Sequence, residues 1–196
     1  SKNLQHLSRK NSIIVQLFGN LDTGEADDYA NDILSQFATK LDVKSSHIIP
    51  CPVIVDNQII YDILMHDDKI KSSMNLAKSC NKMLINIGLP TADNCLFKGK
   101  YINEKDLQNL QDHSAAGCIG CRFFDEEGKI VDQQLDNRTI GISIEDIQKA
   151  DSVITCVVGA HKAKALLAAL KAGYLDIIII DSNAALEVLR LLHQQN

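Results

Sequence analysis

Residues 152–193 read SVITCVVGAHKAKALLAALKAGYLDIIIIDSNAALEVLRLLH, and this stretch decides the fold. Its apolar run at residues 152–158 has the length of one buried strand, and the turn at residues 159–161 closes it. Residues 162–172 are rich in alanine and leucine, which predicts a helix, and Gly173 is of the residue type that most often ends one. The stretch therefore begins with a strand, a turn and a helix.

The second half of the stretch repeats this arrangement. Ile177–Ile180 predicts another buried strand, Asp181 with Ser182 predicts a helix cap, and residues 183–193 predict a helix. Apolar strands joined through helices are typical of a parallel sheet that helices cover on both faces. In such sheets ligands bind beyond the carboxyl ends of the strands, so we expect a site in the turns that follow them.

The rest of the sequence fits the same α/β class and predicts one domain over residues 1–196, because it contains no internal repeat and no linker rich in glycine or serine. Apolar runs predict strands at residues 11–17 and 82–87. Apolar residues three and four positions apart predict a helix at residues 25–41. Residues 59–80 also predict helix, with Asp67 or Asp68 as the candidate N-cap of its second part. We therefore expect a largely parallel sheet with helices on both faces.

The composition disfavours several classes of protein. Hydrophobic residues make up 45% of the chain, enough for a core without disulfides, and no apolar run reaches the ~20 residues of a membrane span. A net charge of −5, 5% aromatic residues and no tryptophan do not favour nucleic-acid binding by this chain itself. The first ten residues lack the apolar segment of a signal peptide. We therefore expect a cytoplasmic protein that does not contact membranes.

Cys118 and Cys121 have the spacing found in some zinc and redox sites, and His113 precedes them. A structural zinc site needs about four ligands, and no second pair of cysteines or histidines accompanies these two. A redox pair would begin a helix after a strand, which the sequence does not indicate here. The other histidines and acidic residues are scattered. The sequence therefore predicts no metal, no cofactor and no catalytic residue.

The turn at residues 159–162 (Gly-Ala-His-Lys) is a candidate anion site. It lies between a buried strand and a helix, where free backbone N–H groups, the positive end of the helix dipole and the lysine all favour negative charge. The alternative is an ordinary turn in which glycine serves geometry and lysine solubility. The residues alone leave both interpretations open.

Six motifs occur in an order that resembles one known family. They are Ile14-Val15-Gln16-Leu17-x-Gly19, Ala115-Ala116-Gly117, Arg122-Phe123-Phe124-Asp125-x-x-Gly128, Asp136-Asn137-Arg138-Thr139-Ile140-Gly141-Ile142, Gly159-x-x-Lys162 and Leu175-x-Ile177-Ile178-x-x-Asp181. Together they span nearly the whole chain and resemble the effector-binding domain of SorC/DeoR-like, sugar-responsive bacterial transcriptional regulators.

The resemblance implies a fold similar to glucosamine-phosphate deaminase, ribose-phosphate isomerase and CoA-transferase, without their catalysis. It implies an oligomer-forming domain whose small phosphorylated sugar effector changes how an N-terminal helix-turn-helix domain holds operator DNA. That DNA-binding domain and the family's first strand, with its phosphate-binding loop, have no counterpart in the sequence, and residues 1–7 resemble the helix after that loop. The implied effector-binding residues are Gln16, Phe18, Gly19, Asn20, Gly88, Cys118, Gly159 and Lys162.

Lys162 matches the family's sugar-phosphate lysine, but two other positions depart from the family pattern. Phe18 stands where one member has a lysine that forms a Schiff base, so an imine cannot form there. Cys118 stands where the family usually has an acidic residue, and a thiol is a weak hydrogen-bond partner. We therefore expect non-covalent binding of a different effector, one that is less polar or more weakly held, or else a pocket that has lost its effector.

Two alternatives to a sensing domain remain. One is an isomerase or deaminase of the same fold that acts on a phosphosugar, although such acid–base chemistry needs a carboxylate or histidine at the substrate. The other is an interaction domain without a small ligand, which the missing loop and the lost acidic residue would permit.

Overall fold

A computed structural model of the protein describes residues 5–22 and 29–194. The strands are β1 (Ile13–Val15), β2 (Ser45–His47), β3 (Lys82–Ile85), β4 (Ile87–Gly88), β5 (Gly117–Ile119), β6 (Arg122–Phe124), β7 (Ser152–Val157) and β8 (Ile177–Ile180). The α-helices are α1 (Tyr29–Lys40), α2 (Gln58–His66), α3 (Asp68–Lys78), α4 (Cys95–Lys98), α5 (Glu104–Asp112), α6 (Gln133–Asn137), α7 (Ile144–Gln148), α8 (Ala163–Lys171) and α9 (Ser182–Gln194). A 3₁₀ turn, Ala160–Lys162, precedes α8.

The α/β class is confirmed and parallel pairing predominates, but in the described residues the strands form three separate sheets instead of the one that the sequence predicted. Strands β3, β7 and β8 form a parallel sheet in that order, and β1 pairs with β2 in a separate parallel sheet. Strands β4, β5 and β6 form an antiparallel sheet. Helix α8 connects β7 to β8, as a parallel pair requires. The sheets together place the ends of β4 and β7 beside the turn that precedes α8.

Two predicted elements are each divided in the structure. The helix predicted at residues 59–80 is α2 followed by α3, because the Asp67 side chain accepts hydrogen bonds from the backbone N–H groups of Lys69 (2.9 Å) and Ile70 (3.1 Å) and so caps a new helix. The strand predicted at residues 82–87 is β3 followed by β4, which belong to different sheets.

Near the N-terminus the predictions agree only in part. Helix α1 occupies most of the segment predicted at residues 25–41, and residues 25–28 lie outside the described part. The expected helix at residues 1–7 is wrong for residues 5–7, which are not helical, and residues 1–4 are not described. No helix among the described residues is long and apolar enough to cross a membrane.

The main core lies between the parallel strands and helices α3 and α8. Helix α8 contributes most to this core, because most of its alanines and leucines are buried. Leu166 and Leu167 are 1% and 6% exposed, and burial of each side chain contributes about 1.5–3 kcal/mol. Gly173 ends the helix with φ +70°, a conformation that glycine adopts without strain.

The prediction that both faces of the sheet are covered is wrong for the described residues. Leu84 of β3 is 56% exposed, and Ile177 and Ile179 of β8 are 48% and 60% exposed. The alternate residues of these strands face α3 and α8, so only one side is packed. The run of four isoleucines therefore predicts the strand correctly, but it does not show which face of the strand packs against the helices.

Candidate functional site

Lys162 lies at the end of the 3₁₀ turn between β7 and α8. Its Nζ donates a hydrogen bond to the backbone carbonyl of Ile87, at 2.9 Å. Within the described part of the chain no carboxylate pairs with it. An ammonium group has three N–H donors. Lys162 thus retains donors and a full positive charge for a further partner.

The backbone of the same turn also offers donors. Gly159 has φ +94°, and a Cβ there would lie 2.6 Å from Cε1 of His161, so both conformation and space favour glycine. The Gly159 N–H donates to Oδ2 of Asp181 at 2.6 Å. The N–H groups of Ala160 and His161 have no acceptor among the described residues. They precede α8, where the helix dipole favours an anion.

Gly88 and Cys118 lie next to the carbonyl that Lys162 contacts. They pair across β4 and β5, and a Cβ on Gly88 would lie 3.5 Å from the Cβ of Cys118. Burial raises the pKa of the Cys118 thiol well above its usual value of 9.0, and the N–H of Cys121 donates to its sulfur. Cys118 is therefore a neutral, buried side chain and supplies no acidic acceptor.

The turn after β1 holds the other predicted residues, and the backbone N–H groups of its Gly19 and Asn20 are already used. The N–H of Gly19 donates to the carbonyl of Ile140 at 2.9 Å, and that of Asn20 donates to the carbonyl of Cys51 at 2.7 Å. The Gln16 amide donates to the Gly19 carbonyl at 3.5 Å and to Oδ1 of Asn20 at 3.4 Å. The N–H groups of Gly19 and Asn20 are thus held by carbonyls of other segments and are not free for a ligand.

Phe18 connects the two groups of predicted residues. It forms an antiparallel bridge with Gly141 and packs against the smaller apolar cluster that also contains Cys118. That cluster includes the partly buried rings of Phe97 and Tyr101. The structure thus brings Lys162, Gly159, Gly88 and Cys118 to one edge, and it joins them to the β1 turn through apolar contacts rather than hydrogen bonds.

Arg122 is a buried residue with a structural role. The sequence indicated only that it belongs to one of the six motifs. It is 6% exposed, and its five N–H donors all have acceptors. The acceptors are the carbonyls of Ile142 (2.8 Å), Asp136 (3.2 Å), Thr139 (3.3 Å) and Gly141 (3.1 Å) and the Oδ1 of Asp136 (2.6 Å). Arg122 therefore holds the segment that faces Phe18 and has no donor left for a ligand.

A cavity of about 200 Å³ lies elsewhere, between α2, α3 and the segment around Ser143. Lys71, Lys78 and Asp146 line it, and none of the eight predicted residues does. Nζ of Lys78 lies 3.5 Å from Oδ2 of Asp146, so this lysine is already paired.

No three His, Cys, Asp or Glu residues in the described ranges lie together in a way that could hold a metal ion. The two cysteines of the CxxC spacing are both buried. Burial raises the pKa of Cys121 far above its usual value, as it does for Cys118, so both thiols are protonated. Thiolates are the form that binds metals and reacts with disulfides. The pair therefore packs in the core.

Comparison with known proteins places these features in a family. A model of sugar-binding domains, Sugar-bind, matches residues 1–190. The deoxyribonucleoside regulator of Bacillus subtilis is 28% identical over 185 residues, which are 94% of this chain and 58% of the regulator. The 196 residues thus span less than two thirds of the length of such curated relatives.

Solved structures show the same fold. A DeoR family transcriptional regulator from Listeria monocytogenes superposes with a TM-score of 0.82 at 25% identity, over 92% of this chain and 71% of that one. The full-length sorbitol operon regulator SorC from Klebsiella pneumoniae gives a TM-score of 0.83 at 23% identity, over 93% of this chain and 60% of that one.

Proposed function

Because the chain belongs to the Sugar-bind family of sugar-binding domains, whose members include parts of SorC- and DeoR-type regulators, we propose that it is the effector-binding domain of a bacterial transcriptional regulator. We propose that its effector is a small phosphorylated sugar, bound without a covalent bond. The resemblance to this family that the motifs predicted is confirmed.

The unpaired ammonium of Lys162 is the observation that carries the phosphate proposal. The turn that carries Lys162 also contains the backbone N–H groups of Ala160 and His161, which have no acceptor in the described part of the protein. Lysine is a common phosphate binder in proteins, and N–H groups before a helix add to its attraction. A phosphate at this turn would satisfy donors that the fold leaves without acceptors.

The apolar side chain of Phe18 and the neutral thiol of Cys118 favour a sugar that presents few hydroxyl groups to strands β4 and β5. Phe18 has no amine, so it cannot form an imine with an aldehyde. Cys118 is neutral and buried in the cluster that Phe18 packs against. A hydroxyl group that lost its water here would find no strong acceptor, and burial of an unpaired hydroxyl is unfavourable.

The test compares Lys162→Ala with Lys164→Ala. Lys164 is an exposed lysine two positions on, with Nζ 3.8 Å from Glu126, so it is a matched control. We expect D-ribose 5-phosphate to bind the unmodified protein and Lys164→Ala alike, and Lys162→Ala at least ~10-fold more weakly, as measured by calorimetry. Unphosphorylated ribose should bind much more weakly. Equal affinity of both variants for the phosphate would remove Lys162 from the site.

We further propose that the domain senses its ligand and does not turn it over. The relatives are regulators, and of the predicted residues at this edge Gly159 and Gly88 have no side chain and Cys118 is a neutral thiol, so none of the three is suited to acid–base catalysis. NMR spectra of the phosphosugar incubated with the protein should stay unchanged over hours. Conversion to an isomer would favour the enzyme instead.

The remaining parts of the proposal concern the whole protein. We propose that residues 1–196 are one effector-binding and oligomerisation domain, similar in fold to glucosamine-phosphate deaminase and ribose-phosphate isomerase, in a cytoplasmic protein. Operator DNA would bind to a separate helix-turn-helix domain, and a further strand with a phosphate-binding loop would complete the site. The exposed isoleucines of β8 offer an apolar surface that supports contact with a further strand or with another subunit. Light scattering at several concentrations would test for oligomers.

A further inference from the structure

The carboxylate of Asp181 joins two elements at the candidate site. Its Oδ2 accepts the N–H of Gly159 at 2.6 Å, in the turn after β7. Its Oδ1 accepts the N–H groups of Asn183 (2.9 Å) and Ala184 (3.1 Å), in the first turn of α9. One side chain therefore ties the turn that carries Lys162 to the start of the last helix.

Capping of α9 alone does not require the bond to Gly159. Asp67 caps α3 with the same pattern, since its Oδ1 accepts the N–H groups two and three positions on, at 2.9 and 3.1 Å. In the described part of the chain, the Asp67 side chain has no hydrogen bond to another element. The bond from Gly159 to Asp181 is thus an additional link between separate parts of the fold.

The hydrogen bond to Asp181 holds Gly159, the residue whose backbone conformation sets the direction of the turn. Gly159 has φ +94°, and its N–H is the donor directly before those of Ala160 and His161. The N–H of Gly159, followed by that of Ala184, holds the pKa of Asp181 below its usual range. The carboxylate is therefore ionised at neutral pH, and a hydrogen bond to an ionised acceptor is roughly twice as strong as a neutral one.

Helix α9 also packs directly against the 3₁₀ turn of Ala160–Lys162. A ligand that holds the turn in one position would therefore also restrain α9, both through packing and through the carboxylate. We infer that Asp181 is a positioning residue of the anion site, which fixes the turn for the ligand and transmits ligand binding to helix α9. This inference rests on the proposed function, because it assumes that an anion binds at Lys162.

The test compares Asp181→Asn with Asp67→Asn, using D-ribose 5-phosphate as the probe. Asparagine still caps a helix, but its single carbonyl oxygen cannot serve both α9 and Gly159. We expect Asp181→Asn to bind the probe at least ~10-fold more weakly and Asp67→Asn to bind it as the unmodified protein does. Loss of a negative charge near an anion would by itself strengthen binding, so weaker binding isolates the positioning effect.

Hydrogen exchange of α9 provides a readout that stability alone would not change. The probe should slow exchange of the amides at residues 184–190 in the unmodified protein and in Asp67→Asn. In Asp181→Asn the probe should slow exchange clearly less, even at concentrations that saturate the site, because only the packing contact remains. If Asp181→Asn does not fold, Asp181→Ser replaces it, because serine also caps helices but is too short to reach Gly159.

The outcomes separate this inference from the proposed function. Equal or tighter binding by Asp181→Asn, or unchanged protection of α9, overturns the role of Asp181 while weak binding by Lys162→Ala still upholds the anion site. Failure of the unmodified protein to bind the probe overturns both.

Discussion

Replacement of Arg122 by methionine should lower the free energy of unfolding by about 3–5 kcal/mol, the usual cost of removing one partner of a buried ion pair. Arg122 is 6% exposed and Asp136, whose Oδ1 lies 2.6 Å from Nη1, is 19% exposed, so water replaces the lost partner poorly. Methionine fills a similar space, and the loss therefore reports the hydrogen bonds rather than a cavity. Three further residues lose a partner for their backbone carbonyls, namely Thr139, Gly141 and Ile142.

Urea unfolding followed by circular dichroism measures this change. A domain of this size is stable by about 5–15 kcal/mol, so the predicted loss is a large share of the total. In a thermal experiment each kcal/mol corresponds to about 2–4 °C for 150–250 residues, which gives a fall of roughly 6–20 °C in Tm. Both readings require a two-state transition, which coincident fluorescence and circular dichroism curves would establish.

Arg190→Met is the matched control for this experiment. Arg190 is an exposed arginine on α9 that pairs with Glu187 three positions earlier, at 2.6 Å. Because solvent screens such surface pairs, we expect no measurable change in the unfolding midpoint. A loss below about 1 kcal/mol for Arg122→Met would refute the reasoning, since the buried hydrogen bonds would then stabilise no more than a surface pair.

Three further changes test other features. Gly128→Ala should lower the free energy of unfolding clearly more than Gly173→Ala, as measured by urea unfolding. Both glycines have positive φ (+83° and +70°), in which an alanine costs about 1–2 kcal/mol. Only at Gly128 would the new Cβ also overlap a neighbouring alanine. Thr155→Val should stabilise the domain by about 1 kcal/mol in the same assay, because the buried Thr155 hydroxyl has no partner in the described ranges. Iodoacetamide at pH 8 should label exposed Cys156 before Cys51 by mass spectrometry, since burial raises the pKa of Cys51 to about 11. The Cys51 thiol ionises at a lower pH in the unfolded chain than in the folded protein. Its contribution to the free energy of unfolding should therefore fall as the pH rises from 9.0 towards 11.

The elements of the fold were predictable wherever local chemistry determines them. Asp67 and Asp181 cap helices because their side-chain oxygens accept nearby N–H groups, and Gly173 ends α8 because it adopts a positive φ. Exposure of the outer face of β8 was not predictable. Ile177–Ile180 is apolar at every position, so its sequence does not distinguish a strand packed on one face from a strand packed on both.

The place of the candidate anion turn in the fold was predictable, but the hydrogen bonds that connect it to other elements were not. The strand-to-helix turn and the motif both indicated Lys162, and the structure confirms that it lies between β7 and α8. Its approach to the Ile87 carbonyl and the bond from Gly159 to Asp181 join residues 75 and 22 positions apart. Contacts of this kind follow from the packing of whole strands and helices, so no local pattern in the sequence reports them.

The turns at Gly19 and at Gly159 differ in the hydrogen bonding of their backbone N–H groups. At Gly19 and Asn20 the backbone N–H groups already donate to carbonyls, and a ligand would have to break those bonds, each of which contributes about 0.5–1.5 kcal/mol. At Ala160 and His161 the N–H groups have no acceptor in the described residues, and Lys162 follows them in the same turn. An anion therefore gains hydrogen bonds at the second turn and only exchanges them at the first. Phosphate recognition should consequently depend on the turn before α8, with the β1 turn contributing mainly the apolar side chain of Phe18.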